Sequence, residues 1–162
     1  MRILCAGDTH GDISRLCNVL KDTAELIDAF IHTGDCETDA AEIARKFPDL
    51  PVYSVCGNCD YGRLAPPVRI DEICGKRVLI THGHRYDVNY SLMQLAYTAL
   101  ENRADICFFG HTHIPLIEKY DNLTIVNPGS LSRPRGGSKH SYAVVEIDDA
   151  SGEVTPKIVE YR

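Results

Sequence analysis

The stretch Arg2-Ile-Leu-Cys-Ala-Gly-Asp8-Thr-His10 joins a short apolar run to a glycine and then to two side chains that can bind a metal. An apolar run of this length that stops at a glycine is typical of a buried β-strand. Asp8 and His10 are two residues apart, so in an extended chain both project to the same side. The stretch therefore predicts a strand whose end delivers a carboxylate and an imidazole to one pocket.

The same arrangement recurs along the chain. Glycine-marked clusters of ligand-type side chains occur at Asp8-Thr9-His10, Gly34-Asp35, Gly57-Asn58-Cys59-Asp60, His82-Gly83-His84 and Gly110-His111-Thr112-His113. Most of these clusters directly follow an apolar run. Carboxylate, imidazole and amide together suit borderline-hard divalent metals. The ligands outnumber what one ion needs, so the sequence predicts two ions that share one carboxylate.

Hydrophobic patterning in the first third of the chain alternates between strand and helix. Strands are predicted at Arg2–Gly7, Asp28–Thr33 and Val52–Cys56, with helices following Asp12 and spanning Thr38–Phe47. This order is typical of a parallel α/β unit, which binds ligands beyond the carboxyl ends of its strands. The first three clusters fall at those ends.

The rest of the chain is richer in strands. They are predicted at Val68–Ile73, Arg77–Thr81, Ile106–Phe109, Leu116–Lys119, Thr124–Val126, Tyr142–Ile147 and Val154–Glu160, with one helix at Ser91–Glu101. The sequence has no linker and no internal repeat, so residues 1–162 are expected to form a single domain. The predicted fold is α/β, with two mixed β-sheets packed as a sandwich, flanked by helices, and a metal site at the strand-end edge.

Composition narrows the classes of function. A net charge of −6 argues against broad, charge-driven binding of nucleic acid. An anionic substrate remains compatible with that charge, because bound dications reverse the local sign of a site. No apolar run approaches the roughly 20 residues of a membrane span, and no signal-peptide pattern is present. We therefore expect a cytoplasmic protein that does not bind a membrane.

Cysteine usage does not indicate a secreted protein or a zinc ribbon. The seven cysteines are odd in number and lie mostly within apolar runs, unlike a secreted disulfide framework. Cys56-Gly-Asn-Cys59 has the C-x-x-C spacing, but no second pair completes a zinc ribbon.

In order and spacing the clusters resemble the motifs of the calcineurin-like metallophosphoesterases. That family's pattern is Asp-x-His, Gly-Asp, Gly-Asn-His-Asp/Glu, a later His and Gly-His-x-His, and the resemblance covers the whole chain. The short chain, Gly57-Asn-Cys-Asp60 and Asn127-Pro-Gly-Ser130 are most similar to the small bacterial and archaeal phosphodiesterase branch. This branch also includes the eukaryotic retromer subunit Vps29.

The resemblance implies two metal sites. The first donor set is Asp8, His10, Asp35 and His113, and the second donor set is Asp35, Asn58, His82 and His111. The implied cofactors are two divalent ions, with Mn²⁺ expected first and Ni²⁺, Zn²⁺ or Fe²⁺ as alternatives. A hydroxide that bridges the two ions would attack a small phosphate-ester substrate. The implied function is that of a phosphodiesterase.

Cys59 occupies the position where many family members have a histidine that is thought to protonate the leaving group. A thiol with a pKa of about 8.5 is a poorer general acid at neutral pH than an imidazole. We therefore expect diesters with acidic leaving groups to be favoured over monoesters. Asn58, Cys59 and His84 are the candidate catalytic residues, although a structural role for His84 is equally compatible with its spacing.

Several alternatives stay open at this point. The candidate phosphate contacts are Arg63, Arg85, Arg133 and Arg135. His32 is expected in the core, whereas His140 either lines the site or is exposed. The alternative function is a protein-binding scaffold of the Vps29 kind with weak or no catalysis, and a homo-oligomer is also left open. The complete set of ligand side chains favours the enzyme.

Overall fold

The computed structural model describes residues 1–62 and 64–162. In chain order its elements are β1 (Arg2–Ala6), α1 (Ser14–Thr23), β2 (Ala29–His32), α2 (Glu37–Lys46), β3 (Val52–Ser54), β4 (Val68–Ile73), β5 (Lys76–Thr81), α3 (Met93–Glu101), β6 (Ile106–Phe108), β7 (Pro115–Tyr120), β8 (Leu123–Pro128), β9 (Ser141–Ile147) and β10 (Val154–Glu160). A 3₁₀ turn at Ala24–Leu26 follows α1.

The strands form two mixed sheets. The first has the order β10-β9-β1-β2-β3, in which β1, β2 and β3 are parallel while β9 and β10 are antiparallel to their neighbours. The second has the order β4-β5-β6-β8-β7, with β5, β6 and β8 parallel and β4 and β7 antiparallel at its edges. The parallel strands are central in the second sheet, whereas in the first they run from the centre to the edge formed by β3.

Alternation along the strands separates an inner from an outer face. Ile3 and Cys5 point between the sheets, where they join Ile31, Ile80 and Phe108 in one buried cluster. The outer faces are covered by helices. Leu4 and Phe30 pack with Leu16 and Leu20 of α1 and Ile43 of α2, while Leu79 and Cys107 pack with Leu95 and Ala99 of α3. The result is a four-layer α/β/β/α sandwich, which confirms the predicted fold class.

The element boundaries differ slightly from the sequence-based expectation. The third helix was predicted from Ser91 but begins at Met93, because the Ser91 hydroxyl accepts the Met93 N–H at 3.1 Å and holds a turn there. The first helix begins at Ser14, whose N–H donates to the Asp12 carboxylate at 3.1 Å. Within the described residues, each helix is too short or too polar to cross a bilayer.

Candidate metal centre

The ligand-type residues lie just beyond the carboxyl ends of the parallel strands. Asp8 follows β1, Asp35 follows β2, His82 follows β5 and His111 follows β6. Because the parallel strands of both sheets end at the same edge of the sandwich, these residues of distant sequence meet there. The sequence clusters are therefore brought together by the topology.

Five of these residues adopt a backbone conformation that is uncommon for residues other than glycine. They have positive φ angles of 51° at Asp8, 48° at His10, 54° at Asp35, 68° at His111 and 59° at His113. Aspartate and histidine tolerate this region better than branched residues do, yet it persists only where the surroundings impose it. Concentration of such residues at one edge is typical of a functional site.

The first donor set converges on one small volume. One ligand atom from each of Asp8, His10, Asp35 and His113 lies within 4.8 Å of the others. Nε2 of His113 is 3.3 Å from both Oδ1 of Asp8 and Nε2 of His10, and Nε2 of His10 is 3.8 Å from Oδ2 of Asp35. His10 is half-buried and the other three are buried.

The second donor set lies on the other side of Asp35. Nε2 of His82 is 3.4 Å from Oδ1 of Asp35 and 3.1 Å from Oδ1 of Asn58. The His111 ring stands nearly edge-on to His82, with the centroids 5.1 Å apart, and its Nε2 contacts the Asn89 side-chain amide at 3.0 Å. Asn89 was not anticipated from the sequence, since no ligand motif or apolar run marks it.

Two backbone carbonyls fix which nitrogen of each imidazole faces the site. Nδ1 of His82 lies 2.8 Å from the carbonyl oxygen of Thr33, and Nδ1 of His113 lies 2.6 Å from that of Arg133. A carbonyl oxygen only accepts hydrogen bonds, so both Nδ1 atoms carry a proton and the Nε2 lone pairs of the neutral rings face inward. Such support from outside the ligands is usual for metal-binding histidines.

Those inward-facing lone pairs lie beside carboxylate and amide oxygens, and Nε2 of His113 also faces Nε2 of His10. Oδ1 of Asp8 is buried and has no hydrogen-bond partner among residues 1–62 and 64–162, although Nε2 of His113 is 3.3 Å away and Nε2 of His82 is 3.9 Å away. A buried carboxylate oxygen beside neutral acceptor nitrogens is unfavourable unless a cation or a proton lies between them. The donor set therefore fits divalent ions.

The pKa values of His82 and Asp35 show how the buried carboxylates change the electrostatics of the site. Burial favours the neutral form of His82, but the Asp35 hydrogen bond and the Asp8 charge raise the pKa of the ring above its ordinary value. Burial likewise opposes ionisation of Asp35, yet the contact with His82 and the Cys59 N–H lower the pKa of the carboxyl well below its usual range. Both shifts indicate that positive charge is favoured beside Asp35 and Asp8.

Glycines and a capping carboxylate hold Asp35 in place. A Cβ on Gly57 would overlap Oδ1 of Asp35, so that carboxylate can lie against the chain only because position 57 is glycine. The Cys59 N–H donates to the same oxygen at 2.9 Å. Asp60 accepts the N–H groups of Gly57, Cys36 and Glu37 at 2.7, 2.9 and 2.8 Å, which ties the loop after β3 to the start of α2.

The three candidate catalytic residues all lie at this edge. The Asn58 amide donates to Sγ of Cys59 at 3.3 Å. Cys59 is exposed, but partial desolvation and then the neighbouring Asp35 carboxylate raise the pKa of its thiol to about 11. The His84 ring centroid lies 5.4 Å from that of His82 and 6.2 Å from that of His111, and burial followed by the charge of His82 lowers its pKa.

Three of the four candidate phosphate-binding arginines surround the centre. All three are exposed. The positive charge of each lowers the pKa of a nearby imidazole: Arg133 that of His10, Arg85 that of His84 and Arg135 that of His111. In each case burial is the main reason for the lowered pKa of the imidazole and the arginine adds to it. The fourth, Arg63, lies outside the described residues.

The two remaining histidines lie away from the donor sets. His32 is fully buried, with Nε2 3.0 Å from Oγ1 of Thr9 and Nδ1 accepting the Gly34 N–H at 3.3 Å. It is therefore a hydrogen-bonded core residue. His140 is half-buried near Asp12. Hydrogen bonds with Ser14 are the main cause that lowers the pKa of the Asp12 carboxyl, and the charge of His140 adds to that effect.

Comparison with known proteins gives a consistent result. A family model described as the calcineurin-like phosphoesterase superfamily domain matches residues 1–150. The probable metallophosphoesterase YsnB of Bacillus subtilis is 31% identical, over 95% of this chain and 89% of its own. The phosphodiesterase YfcE of Escherichia coli is 26% identical, over 91% of this chain and 89% of its own.

Solved structures show the same architecture. A conserved protein of Streptococcus pneumoniae, described as a predicted phosphoesterase, superposes with a TM-score of 0.81 at 29% identity, over 98% of this chain and 97% of that one. Vps29 of Entamoeba histolytica, in its complex with zinc, superposes with a TM-score of 0.77 at 23% identity, over 98% of each chain. The second likeness shows a shared fold. On the family match and the relatives together, the chain belongs to the calcineurin-like phosphoesterase superfamily.

Proposed function

We propose that the protein is a dinuclear metal-dependent phosphodiesterase. The first donor set would hold one divalent ion and the second donor set the other, with Asp35 shared. The observation that carries this proposal is the position of the Asp35 carboxylate, whose Oδ2 is 3.8 Å from Nε2 of His10 and whose Oδ1 is 3.4 Å from Nε2 of His82. One carboxylate thereby faces both sets.

The chain's own residues would prepare the site before any substrate arrives. Divalent ions bound there would polarise the phosphoryl oxygens and activate the attacking water. The carbonyls of Thr33 and Arg133 orient His82 and His113, and Asp60 fixes the loop that carries Asn58 and Cys59. The mixture of carboxylate, imidazole and amide supports Mn²⁺ as the first candidate, with Ni²⁺, Zn²⁺ or Fe²⁺ as alternatives.

The preference for acidic leaving groups follows from Cys59. A thiol with a pKa raised to about 11 keeps its proton at neutral pH and transfers it poorly to a departing oxygen. A nitrophenolate leaves readily without protonation, whereas an alkoxide does not. We therefore propose diesters with acidic leaving groups as the favoured substrates.

From the sequence pattern alone, we also propose that the protein acts in the cytoplasm.

One observation favours a second candidate function, a protein-binding scaffold of the Vps29 kind. Met93, Tyr97 and Leu100 of α3 are exposed at helical spacing and form an apolar stripe, continued by exposed Tyr90. Exposed apolar surface that is contiguous often marks a site of association. The stripe would suit another protein or a second copy of this chain, and it is compatible with an active enzyme.

Hydrolysis of bis-p-nitrophenyl phosphate beside p-nitrophenyl phosphate, in metal-free buffer and with added Mn²⁺, would test the enzyme. We expect Mn²⁺-dependent turnover that is faster for the diester and abolished by Asp35→Ala. Asp49→Ala, at an exposed position, is the matched control and should behave as the unmodified protein. A folded protein without turnover in Mn²⁺, Ni²⁺, Zn²⁺ and Fe²⁺ would favour the scaffold instead.

A further inference from the structure

A cleft of about 410 Å³ opens beside the first donor set, on the side of Cys59. Its lining includes His10, Cys59, Thr38 and Arg133, together with Tyr61 and Leu64, whose side chains are the open apolar part of the lining. Because His10 belongs to the first donor set, a phosphate placed at the metal centre would have one ester group directed toward this space. The cleft is therefore continuous with the proposed site.

Among the charged side chains that line this cleft, the one whose charged group is left free to bind a ligand is positive. Its two carboxylates are already engaged, since Asp60 accepts three backbone N–H groups and Glu37 accepts the Ala65 N–H at 2.9 Å. Arg133 is fixed through its backbone, whose N–H donates to Oγ of Ser130 at 2.8 Å and whose carbonyl meets His113 at 2.6 Å. Its guanidinium is exposed and makes no ion pair with any residue that the structure describes. An anion is favoured beside it.

The open part of the cleft lining is apolar. The side chains of Tyr61 and Leu64 are 92% and 71% exposed. A tyrosine ring this open offers a face on which another planar ring can stack, and such stacking is favourable with little dependence on the partner's identity. The combination of a cation close to the metal ligands and an open aromatic ring in the same cleft indicates a ligand that is anionic at one end and aromatic at the other.

We infer that this cleft binds the aromatic ester group of a phosphodiester substrate. Arg133 contacts the phosphate, and Tyr61 and Leu64 contact the ring, which is an aryl group or a base. The substrate class is thus an aryl or nucleobase-bearing phosphodiester rather than a dialkyl one. This inference rests on the proposed function for the position of the phosphate. Tyr61 and Leu64 become the residues that determine specificity.

Calorimetric binding to the Mn²⁺-loaded protein would test the cleft without relying on turnover. Diphenyl phosphate should bind at least about tenfold more tightly than dimethyl phosphate, which carries the same charge without the rings. Tyr61→Ser should weaken diphenyl phosphate about fivefold or more and leave dimethyl phosphate unchanged, because stacking is lost. Leu64→Ser should act in the same direction, whereas Arg133→Gln should weaken both ligands alike.

Tyr97→Ser is the matched control, because Tyr97 is an exposed tyrosine on α3 outside the cleft lining. It should change neither affinity. Equal affinity for the two diesters, or a diphenyl preference that survives both Tyr61→Ser and Leu64→Ser, would overturn the cleft assignment. If the aromatic preference is found and depends on Tyr61, but no diester is hydrolysed, the cleft stands and the catalytic proposal fails.

Discussion

The side-chain amide of Asn89 lies 3.0 Å from Nε2 of His111, at the outer side of the second donor set. With Nδ2 toward the ring, the amide donates to an unprotonated Nε2 and leaves the proton on Nδ1. With Oδ1 toward the ring, the amide accepts from Nε2–H and leaves the Nδ1 lone pair free. The structure has Nδ2 toward the ring, so metal binding through Nδ1 requires the amide to turn over, and the orientation of Asn89 thereby selects the nitrogen that His111 can offer.

Replacement of this amide should weaken the second metal ion more than the first. Asn89→Ala removes the partner that orients His111, and loss of such a partner lowers metal affinity by about 10- to 100-fold. Titration of Mn²⁺ followed by electron paramagnetic resonance would resolve the two affinities. Asn122→Ala, in the exposed turn between β7 and β8, is the control. Two unchanged affinities in Asn89→Ala would show that the amide has no part in metal binding.

Metal removal should lower the thermal stability of the protein. An ion that binds only the folded chain and is present at 100 times its dissociation constant stabilises it by about 2.7 kcal/mol, which corresponds to a rise in Tm of about 5–10 °C in a domain of this size. Thermal melts with a chelator and with excess Mn²⁺ measure this difference. Asp35→Asn should lose most of the Mn²⁺ response, and a response of full size in that variant would contradict the shared-carboxylate role.

Cys59→His should shift the substrate profile toward monoesters and poor leaving groups. A positioned imidazole that protonates the leaving group contributes about 100-fold or more when protonation limits the rate. The ratio of turnover with an alkyl leaving group to turnover with a p-nitrophenyl leaving group should rise at least tenfold by that reasoning. Cys59→Ser, which keeps a weak acid at the same position, should leave the ratio close to that of the unmodified protein. A Cys59→His protein with normal metal content and an unchanged profile would refute the leaving-group argument.

Gly57→Ala should disturb the metal centre through sterics alone. The added Cβ would overlap Oδ1 of Asp35, whereas φ at this position does not require glycine. We expect reduced metal content, measured by elemental analysis of the purified protein. Gly75→Ala is a useful contrast, because its Cβ meets nothing within 4 Å and only the backbone, with φ of +70°, is strained. That variant should lose about 1–2 kcal/mol of stability and keep its metals.

Sequence reasoning predicted what depends on local pattern. Glycines after short apolar runs located the carboxyl ends of β1, β2 and β6, and parallel topology then placed Asp8, Asp35 and His111 at one edge. This worked because side-chain alternation and strand termination are both encoded within a few residues. The family resemblance added the division of the ligands into two sets.

The parts that escaped prediction depend on contacts between distant segments. Asn89, in the loop after β5, contacts His111 only in the folded chain, and the residues around Asn89 form no motif that predicts the contact. The carbonyls of Thr33 and Arg133 orient two imidazoles, but every residue has a carbonyl, so these positions carry no compositional signal. The cleft bounded by Tyr61 and Leu64 arises from two exposed side chains that resemble ordinary surface residues in the sequence.

The left-handed backbone at Asp8, His10, Asp35, His111 and His113 limits the evolutionary routes away from metal binding. Valine or isoleucine at these positions would clash with the local backbone whether or not an ion is bound. A descendant that abandoned catalysis would therefore be expected to drift toward glycine or asparagine at these five places. Ligand-like residues could also persist there for conformational reasons after the chemistry had been lost, so a retained aspartate or histidine in a relative does not by itself report activity.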